Sequence, residues 1–431
     1  MLRRDTLGTL TMLARDYGDV ARIKVGPTHI VLVSHPDLIR SVLTTDARQY
    51  AKGRGLERTK RLLGTGLLTS EGDFHLRQRR LAQPAFHREQ IACYAEMMWR
   101  RAERTRDRWH DGEEIDLSRE MMQLTLEIAG ATLFGADLAA ETEEIGAALT
   151  EAFELFRYAT LPYSELLDDI PFLPMNRRFA ANRARLDRTI HRIIAERRAS
   201  GGRGSRADLL SMLLRARDTE GDGTAMTDLQ LRDEVLTILL AAHETTANAL
   251  AWTFYFLAQY PEVENRLAAE VDGVSADGPF TLDDTARLTY TRAVLAESMR
   301  LCPPAWTLGR KPLQDVAIGG YRVPRGSLVL MSQWVVHRDP RWWSQPQQFD
   351  PDRWTRSSEP ERPKLAYFPF GAGTRVCIGE SFAWMEGVIV LALIARRWRL
   401  RLANGRAIAA FPLVTLRPRP AIRMTVQRRW D

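Results

Sequence analysis

The stretch Phe370-Gly371-Ala372-Gly373-Thr374-Arg375-Val376-Cys377-Ile378-Gly379 decides the reading of this chain. It places one cysteine in a glycine-rich loop, with an arginine two residues before it and a helix-forming run from Glu380 onward. A cysteine just ahead of a helix N-terminus sits where the helix dipole and free backbone N–H groups favour the thiolate. Gly371, Gly373 and Gly379 let the backbone turn tightly and approach a flat ligand closely. Read alone, such a cysteine is a packing residue at a loop-to-helix junction. The loop around it argues for a ligand instead.

No Cys or His lies near Cys377 in the sequence, so its thiolate suits a metal whose other ligands come from a cofactor, and haem iron is the leading case. The stretch resembles the haem-ligand signature of the cytochrome P-450 family, Phe-x-x-Gly-x-Arg-x-Cys-x-Gly. Phe370, Gly373, Arg375, Cys377 and Gly379 carry the match. The resemblance implies a mainly α fold with a smaller β region, a helix-rich triangular prism around a buried haem b, with Cys377 as the metal ligand.

The remaining motifs follow the family's order. A helix opens near Asp73 and carries His75 and Arg79 on one face, where two donors can grip one carboxylate. In relatives His-x-x-x-Arg at this point holds a haem propionate. Thr227-Asp228-Leu229-Gln230 has capping-box form, and the helix it starts can run to about Gln259. Its middle, Leu239-Leu240-Ala241-Ala242-His243-Glu244-Thr245-Thr246, joins small alanines to an acid–alcohol pair within an apolar run. A solvent-facing turn would explain that pair blandly. The resemblance implies a helix kinked over the haem, with Ala241 against the cofactor and Glu244 and Thr245 delivering protons to bound oxygen; Ala242 stands where relatives carry glycine. Glu297 and Arg300, with the later Arg353, match the family's structural triad. Arg310 occupies the place of a second propionate partner, and Phe370, Gly371, Arg375 and Gly379 complete the cofactor set.

Other elements read plainly from pattern. Thr6 to Tyr17 is helical, Val20 to Val25 and His29 to Val33 are strands, and Val316 to Ile318 pairs with Tyr321 to Val323 through Gly319-Gly320. Lys52 to Thr69, punctuated by Gly53, Gly55, Gly64 and Gly66, reads as irregular. Ser200 to Arg206 reads as a surface loop, Glu151 to Arg157 as helical and Pro162 to Pro174 as a loop. Phe411 to Leu416 reads as a strand and turn that relatives fold over the substrate. The pocket is expected to be lined by Leu67, Leu68, Leu239, Leu240, Trp306, Thr307, Leu308, Leu413 and Val414, mostly apolar.

Composition bounds the rest. The chain has 431 residues, 45% of them hydrophobic, and a net charge of +7. No Pro/Gly/Ser-rich linker divides it, so residues 1–431 read as a single domain. Its three cysteines lie far apart, which fits a reducing cytoplasm rather than a disulfide framework. No apolar run approaches the ~20 residues of a membrane span, no signal-peptide core follows Met1, and no nucleic-acid motif accompanies the basic pairs.

The implied activity is monooxygenation of a lipophilic natural product such as a terpenoid or polyketide, using molecular oxygen. Without a flavin or dinucleotide motif, electrons are expected from a ferredoxin and its reductase, docking on the face of a monomeric enzyme nearest Cys377, where Arg77, Arg80, Arg88 and Lys364 offer positive charge to an acidic ferredoxin. Three alternatives stand beside it: a fatty-acid hydroxylase, a peroxygenase or oxidative-coupling catalyst, and a haem-binding sensor that needs no proton relay.

Overall fold

A computed structural model describes residues 5–138, 144–148, 172–199, 208–218, 223–274, 282–356, 361–403 and 407–429, with the single positions 151, 170, 221 and 405. The expected loop at 200–206, most of the helix at 151–157 and most of the loop at 162–174 lie outside them.

Helices form most of the described chain. The long helix, Asp228–Leu257, begins as its sequence requires. Thr227 accepts from the Gln230 N–H and the Gln230 side chain caps the Thr227 N–H. From Leu231 to Leu240 and from Thr246 to Phe254 every residue is buried, so the helix runs through the core instead of lying on it. It is α-helical throughout, and the Thr245 hydroxyl donates to the Ala241 carbonyl at 2.8 Å one turn back, a bond of the kind that bends helices. Around this helix pack Arg88–Arg108, Leu117–Ala129, Thr289–Leu301 and the C-terminal helix Glu380–Arg397, which share the main apolar core. The C-terminal helix is buried without interruption from Trp384 to Ala395.

The strands are β1 (Val20–Val25), β2 (Thr28–Val33), β3 (Tyr50–Lys52), β4 (Glu114–Asp116), β5 (Leu308–Pro312), β6 (Val316–Ile318), β7 (Tyr321–Val323), β8 (Leu328–Met331), β9 (Trp398–Leu402), β10 (Ala409–Pro412), β11 (Leu416–Arg419) and β12 (Arg423–Arg428). The largest sheet has the order β1-β2-β8-β5-β3, with β2 and β8 parallel and its other pairs antiparallel. It packs on a second core of Val31, Val33, Val42, Val329 and Phe368. β12 lies between β4 and β9, and β10 pairs with β11 as a hairpin.

The Lys52 to Thr69 stretch corrects the sequence reading, because Arg54–Leu63 is helical. Its glycines punctuate the ends. Gly53 is the N-cap, and Gly64, at φ +65°, ends the helix as only glycine does cheaply.

Glu297, Arg300 and Arg353 form the expected lock. Arg300 donates twice to Glu297 at 2.8 Å, Arg353 Nε donates at 2.9 Å, and Trp354 Nε1 and the Asp350 N–H at 3.0 Å. Arg300 also reaches the carbonyls of His337, Pro346 and Gln348. Both arginines and the glutamate are buried. The lock holds the segment leading into the cysteine loop.

Candidate active site

The cysteine loop is shaped by its own backbone. The Cys377 N–H donates to the Phe370 carbonyl at 2.9 Å, and the Val376 N–H to Gly373 at 3.1 Å. Gly373 sits at φ +72°, and a Cβ there would lie 2.0 Å from the Leu43 carbonyl oxygen, so no side chain fits. Arg79 donates to the Val376 carbonyl at 2.7 Å. Cys377 presents open surface although burial pushes its thiol up to about 11, against the opposing pull of the Gly379 N–H and of Arg79. A side chain both open and deeply enclosed lines an interior void. Ala241 gives the same sign, since it is exposed in the middle of an otherwise buried helix. Phe370, Leu68, Ala242 and Val414 are half-buried along the edge of the main core.

The polar residues expected at the cofactor's edge separate into two groups. Arg79 is committed to the cysteine loop. His75, Arg310 and Arg375 instead gather with two residues that the sequence did not single out, Lys52 and Glu71. Glu71 accepts from the Lys52 N–H at 2.5 Å and is ion-paired with Arg375. The Lys52 ammonium donates to the carbonyls of Leu67 and Ser70 at 2.9 and 2.6 Å. Burial, reinforced by Arg375 and Arg310, presses Lys52 down to about 7. Burial and Lys52 press His75 down to about 4, and burial and Arg375 press Arg310 down to about 10.

These groups fit a haem. Lys52, Arg310 and Arg375 are cations crowded around one carboxylate, so a ligand bringing two carboxylates, as haem propionates do, would balance them. Two buried nitrogens point the same way: Arg375 Nη1, a donor, and His75 Nε2 have no hydrogen-bond partner. With an open thiol at Cys377 and small residues on the long helix, the donor set matches a flat dicarboxylate whose iron takes one sulfur ligand.

The acid–alcohol pair of the long helix is present, with one Glu244 oxygen and the Thr245 hydroxyl each engaged in hydrogen bonds. Glu244 is buried. Its Oε1 accepts from Thr415 Oγ1 at 2.5 Å and from Arg417 Nε at 2.8 Å, while Oε2 is buried with no partner. Thr245, half-buried, spends its hydroxyl on Ala241.

Of the residues expected to line the pocket, Leu68, Trp306, Thr307, Leu308, Leu413 and Val414 are half-buried. Leu67, Leu239 and Leu240 are buried in the core. Trp306 Nε1 donates to the Leu413 carbonyl at 3.0 Å, closing the hairpin tip against the strand that follows Pro304.

Comparison with known proteins agrees with this geometry. The family model Cytochrome P450 matches residues 2–423. The chain belongs to the cytochrome P450 family. It is 42% identical to "Cyclooctatin synthase" of Streptomyces melanosporofaciens, over 95% of this chain and 87% of that protein. It is 36% identical to "Cyclooctat-9-en-7-ol 5-monooxygenase" of the same organism, over 91% of this chain and 84% of that protein. It is 36% identical to "Pentalenene oxygenase" of Streptomyces avermitilis, over 93% and 88%. The protein is a haem-dependent monooxygenase of mostly helical fold.

Within this P450 frame, sequence reasoning missed Lys52, Glu71, Thr415, Arg417 and Glu386. Glu386, on the C-terminal helix, is buried with neither oxygen hydrogen-bonded, and burial holds its carboxyl well above the usual range. The Thr246 hydroxyl faces it and opposes that shift without completing a hydrogen bond. Arg77 and Arg80, expected to offer charge to a partner, are both paired with the buried Asp218. A groove of about 800 Å³ lies against the start of the C-terminal helix, lined in part by Arg88, Arg292, Trp354, Glu380 and Trp384. Among the described residues no helix is long and apolar enough to cross a membrane.

Proposed function

We propose that this P450 oxidises a cyclic terpenoid, with Cys377 ligating the iron of haem b and Lys52, His75, Arg310 and Arg375 receiving its propionates. The named relatives at 42 and 36% identity support the substrate class, since their printed names include "Cyclooctat-9-en-7-ol 5-monooxygenase" and "Pentalenene oxygenase". The single observation carrying the cofactor reading is the open yet enclosed Cys377 thiol in its glycine-shaped loop. When bound, haem supplies oxygen activation and insertion of one oxygen atom into a C–H bond.

The chain's own residues do the rest. Arg79 fixes the loop carrying Cys377 through the Val376 carbonyl. Leu68, Trp306, Leu308, Leu413 and Val414 orient an apolar ring system and exclude water. Glu244 Oε2 takes up a proton and gives it to the Thr245 hydroxyl oxygen, and Thr245 passes on its own hydroxyl proton, for which that hydroxyl must turn away from the Ala241 carbonyl. Electrons come from a ferredoxin and its reductase, docking at the groove edged by Arg88 and Arg292. Three unpaired cysteines support operation in a reducing cytoplasm.

The test is incubation with a surrogate ferredoxin pair, NADPH and a panel of cyclic terpenes and fatty acids, read by mass spectrometry and by substrate-induced spectral shift. Terpenes should gain one oxygen atom. Oxidation of fatty acids alone would transfer the assignment to the hydroxylase alternative.

A further inference from the structure

The C-terminal hairpin does more than cover the pocket. Its tip is pinned on every side: Trp306 donates to Leu413, the Leu416 N–H to the Pro304 carbonyl at 2.9 Å, and Trp252 Nε1 to the Leu416 carbonyl at 3.2 Å. Against this rigid frame Glu244 is held by one oxygen only. Thr415 Oγ1 and Arg417 Nε both donate to Oε1, and Asn248, one turn along the long helix, donates to Thr415 Oγ1 at 3.2 Å. Asn248 thus orients the threonine hydroxyl toward the carboxylate. Oε2 is left buried and unpartnered. An unmet buried acceptor is costly, and it persists here while its twin oxygen receives two donors, one of them charged.

We propose that Arg417, assisted by Thr415, is a positioning residue for proton delivery: it clamps Glu244 by Oε1 so that Oε2 alone is presented to accept and release the proton. The inference rests on Glu244 acting as the relay acid. A carboxylate free to rotate would exchange its two oxygens and its aim; the clamp removes that freedom and supplies the counter-charge from a different element of the fold. Each turnover of the relay adds one proton to Oε2 and removes one, and the carboxylate is regenerated.

The test uses the holoenzyme with a surrogate ferredoxin pair, without substrate and with cyclooctat-9-en-7-ol as the probe. NADPH consumption, peroxide yield and the solvent isotope effect are measured for Glu244→Gln, Arg417→Ala, Arg417→Lys, Thr415→Val and the Glu244→Gln/Arg417→Ala double variant. The reduced CO spectrum checks that haem is held as in the parent.

Glu244→Gln should slow NADPH consumption by at least about tenfold and raise the solvent isotope effect. Arg417→Ala should do the same, Arg417→Lys should restore much of the loss, and the double variant should be no slower than Glu244→Gln alone. Thr415→Val, which keeps the charge, should show a smaller loss that vanishes in the Glu244→Gln background. It carries the test should Arg417→Ala fail to fold. Parental rate and isotope effect in Arg417→Ala or Thr415→Val, or losses that multiply in the double variant, would overturn the clamp. If Glu244→Gln itself matches the parent, the relay reading fails instead. Lack of product from the probe touches only the substrate class, because the substrate-free measurement still reads the clamp.

Discussion

Two buried glutamates in this molecule are held in opposite ways. Glu297 has both oxygens occupied: two bonds from Arg300, one from Arg353, one from the Trp354 indole and one from a backbone N–H. Glu244 has one oxygen bound twice and the other bound to nothing. Both carry arginine partners and neither is exposed, so burial and charge pairing do not distinguish them. Saturation does. A carboxylate with every lone pair engaged has no capacity left for a proton or a water and acts as a fastener. One with a vacant, buried oxygen retains capacity that the fold has not used, and such capacity persists where chemistry employs it.

The contrast breaks first at Glu297. Glu297→Gln leaves two buried guanidiniums without a counter-charge, which costs about 3–5 kcal/mol. Thermal unfolding should shift far down and the yield of haem-loaded protein should collapse. Were Glu297→Gln as stable as the parent, the saturated cluster would not be a fastener. Glu244→Gln strips the counter-charge from one partly exposed guanidinium instead of two buried ones, so it should move the unfolding transition far less and act mainly on turnover.

The cofactor edge gives the next effect in size. A charge-assisted bond to a buried carboxylate is worth ~1.5–3 kcal/mol, so His75→Ala, Arg310→Ala and Arg375→Ala should each release haem faster to apomyoglobin. Arg79→Ala should act differently, loosening the loop through Val376. If none of the three releases haem faster, the cations crowded around Glu71 have another purpose.

Thr245→Ala sharpens the comparison at the working end. Losing the hydroxyl frees the Ala241 carbonyl, a small structural cost, but removes the group that receives a proton from Glu244. NADPH consumption should continue while peroxide takes a large share of it. Thr246→Val should divert less, because Thr246 is turned toward Glu386 of the C-terminal helix. Full coupling in Thr245→Ala would move the relay to Thr246 or to a hydroxyl of the substrate.

The smallest effect belongs to docking. Arg88→Glu should raise the ferredoxin concentration needed for half-maximal rate, and added salt should erase the difference, since exposed charges are screened within ~10 Å at about 0.1 M. Arg77 and Arg80, tied to Asp218, should show no such dependence.

What the sequence made legible follows from how far apart the partners lie. The helix Thr6–Tyr17, the β6–β7 hairpin and the capping box at Thr227 are local patterns, and the structure reproduces them. The cysteine loop was legible because its ligand, glycines and arginine are contiguous. The helix Arg54–Leu63 was hidden by reading glycines as breakers when they stand at its two ends. Thr415 and Arg417 lie 171 and 173 residues from Glu244, and Arg375 lies 304 from Glu71. No spacing rule connects such positions, and a lone lysine at position 52 carries no local sign of burial. The same distance kept Arg77 and Arg80 looking like free surface charge.

The central claim, that the loop ending at Cys377 holds a haem through its thiolate, meets its most direct test in the reduced CO spectrum. The parent should show the band characteristic of thiolate ligation, and so should Cys93→Ala and Cys302→Ala. Cys377→His should lose that band while keeping measurable haem on Lys52, His75, Arg310 and Arg375. Persistence of the thiolate band in Cys377→His would contradict the assignment.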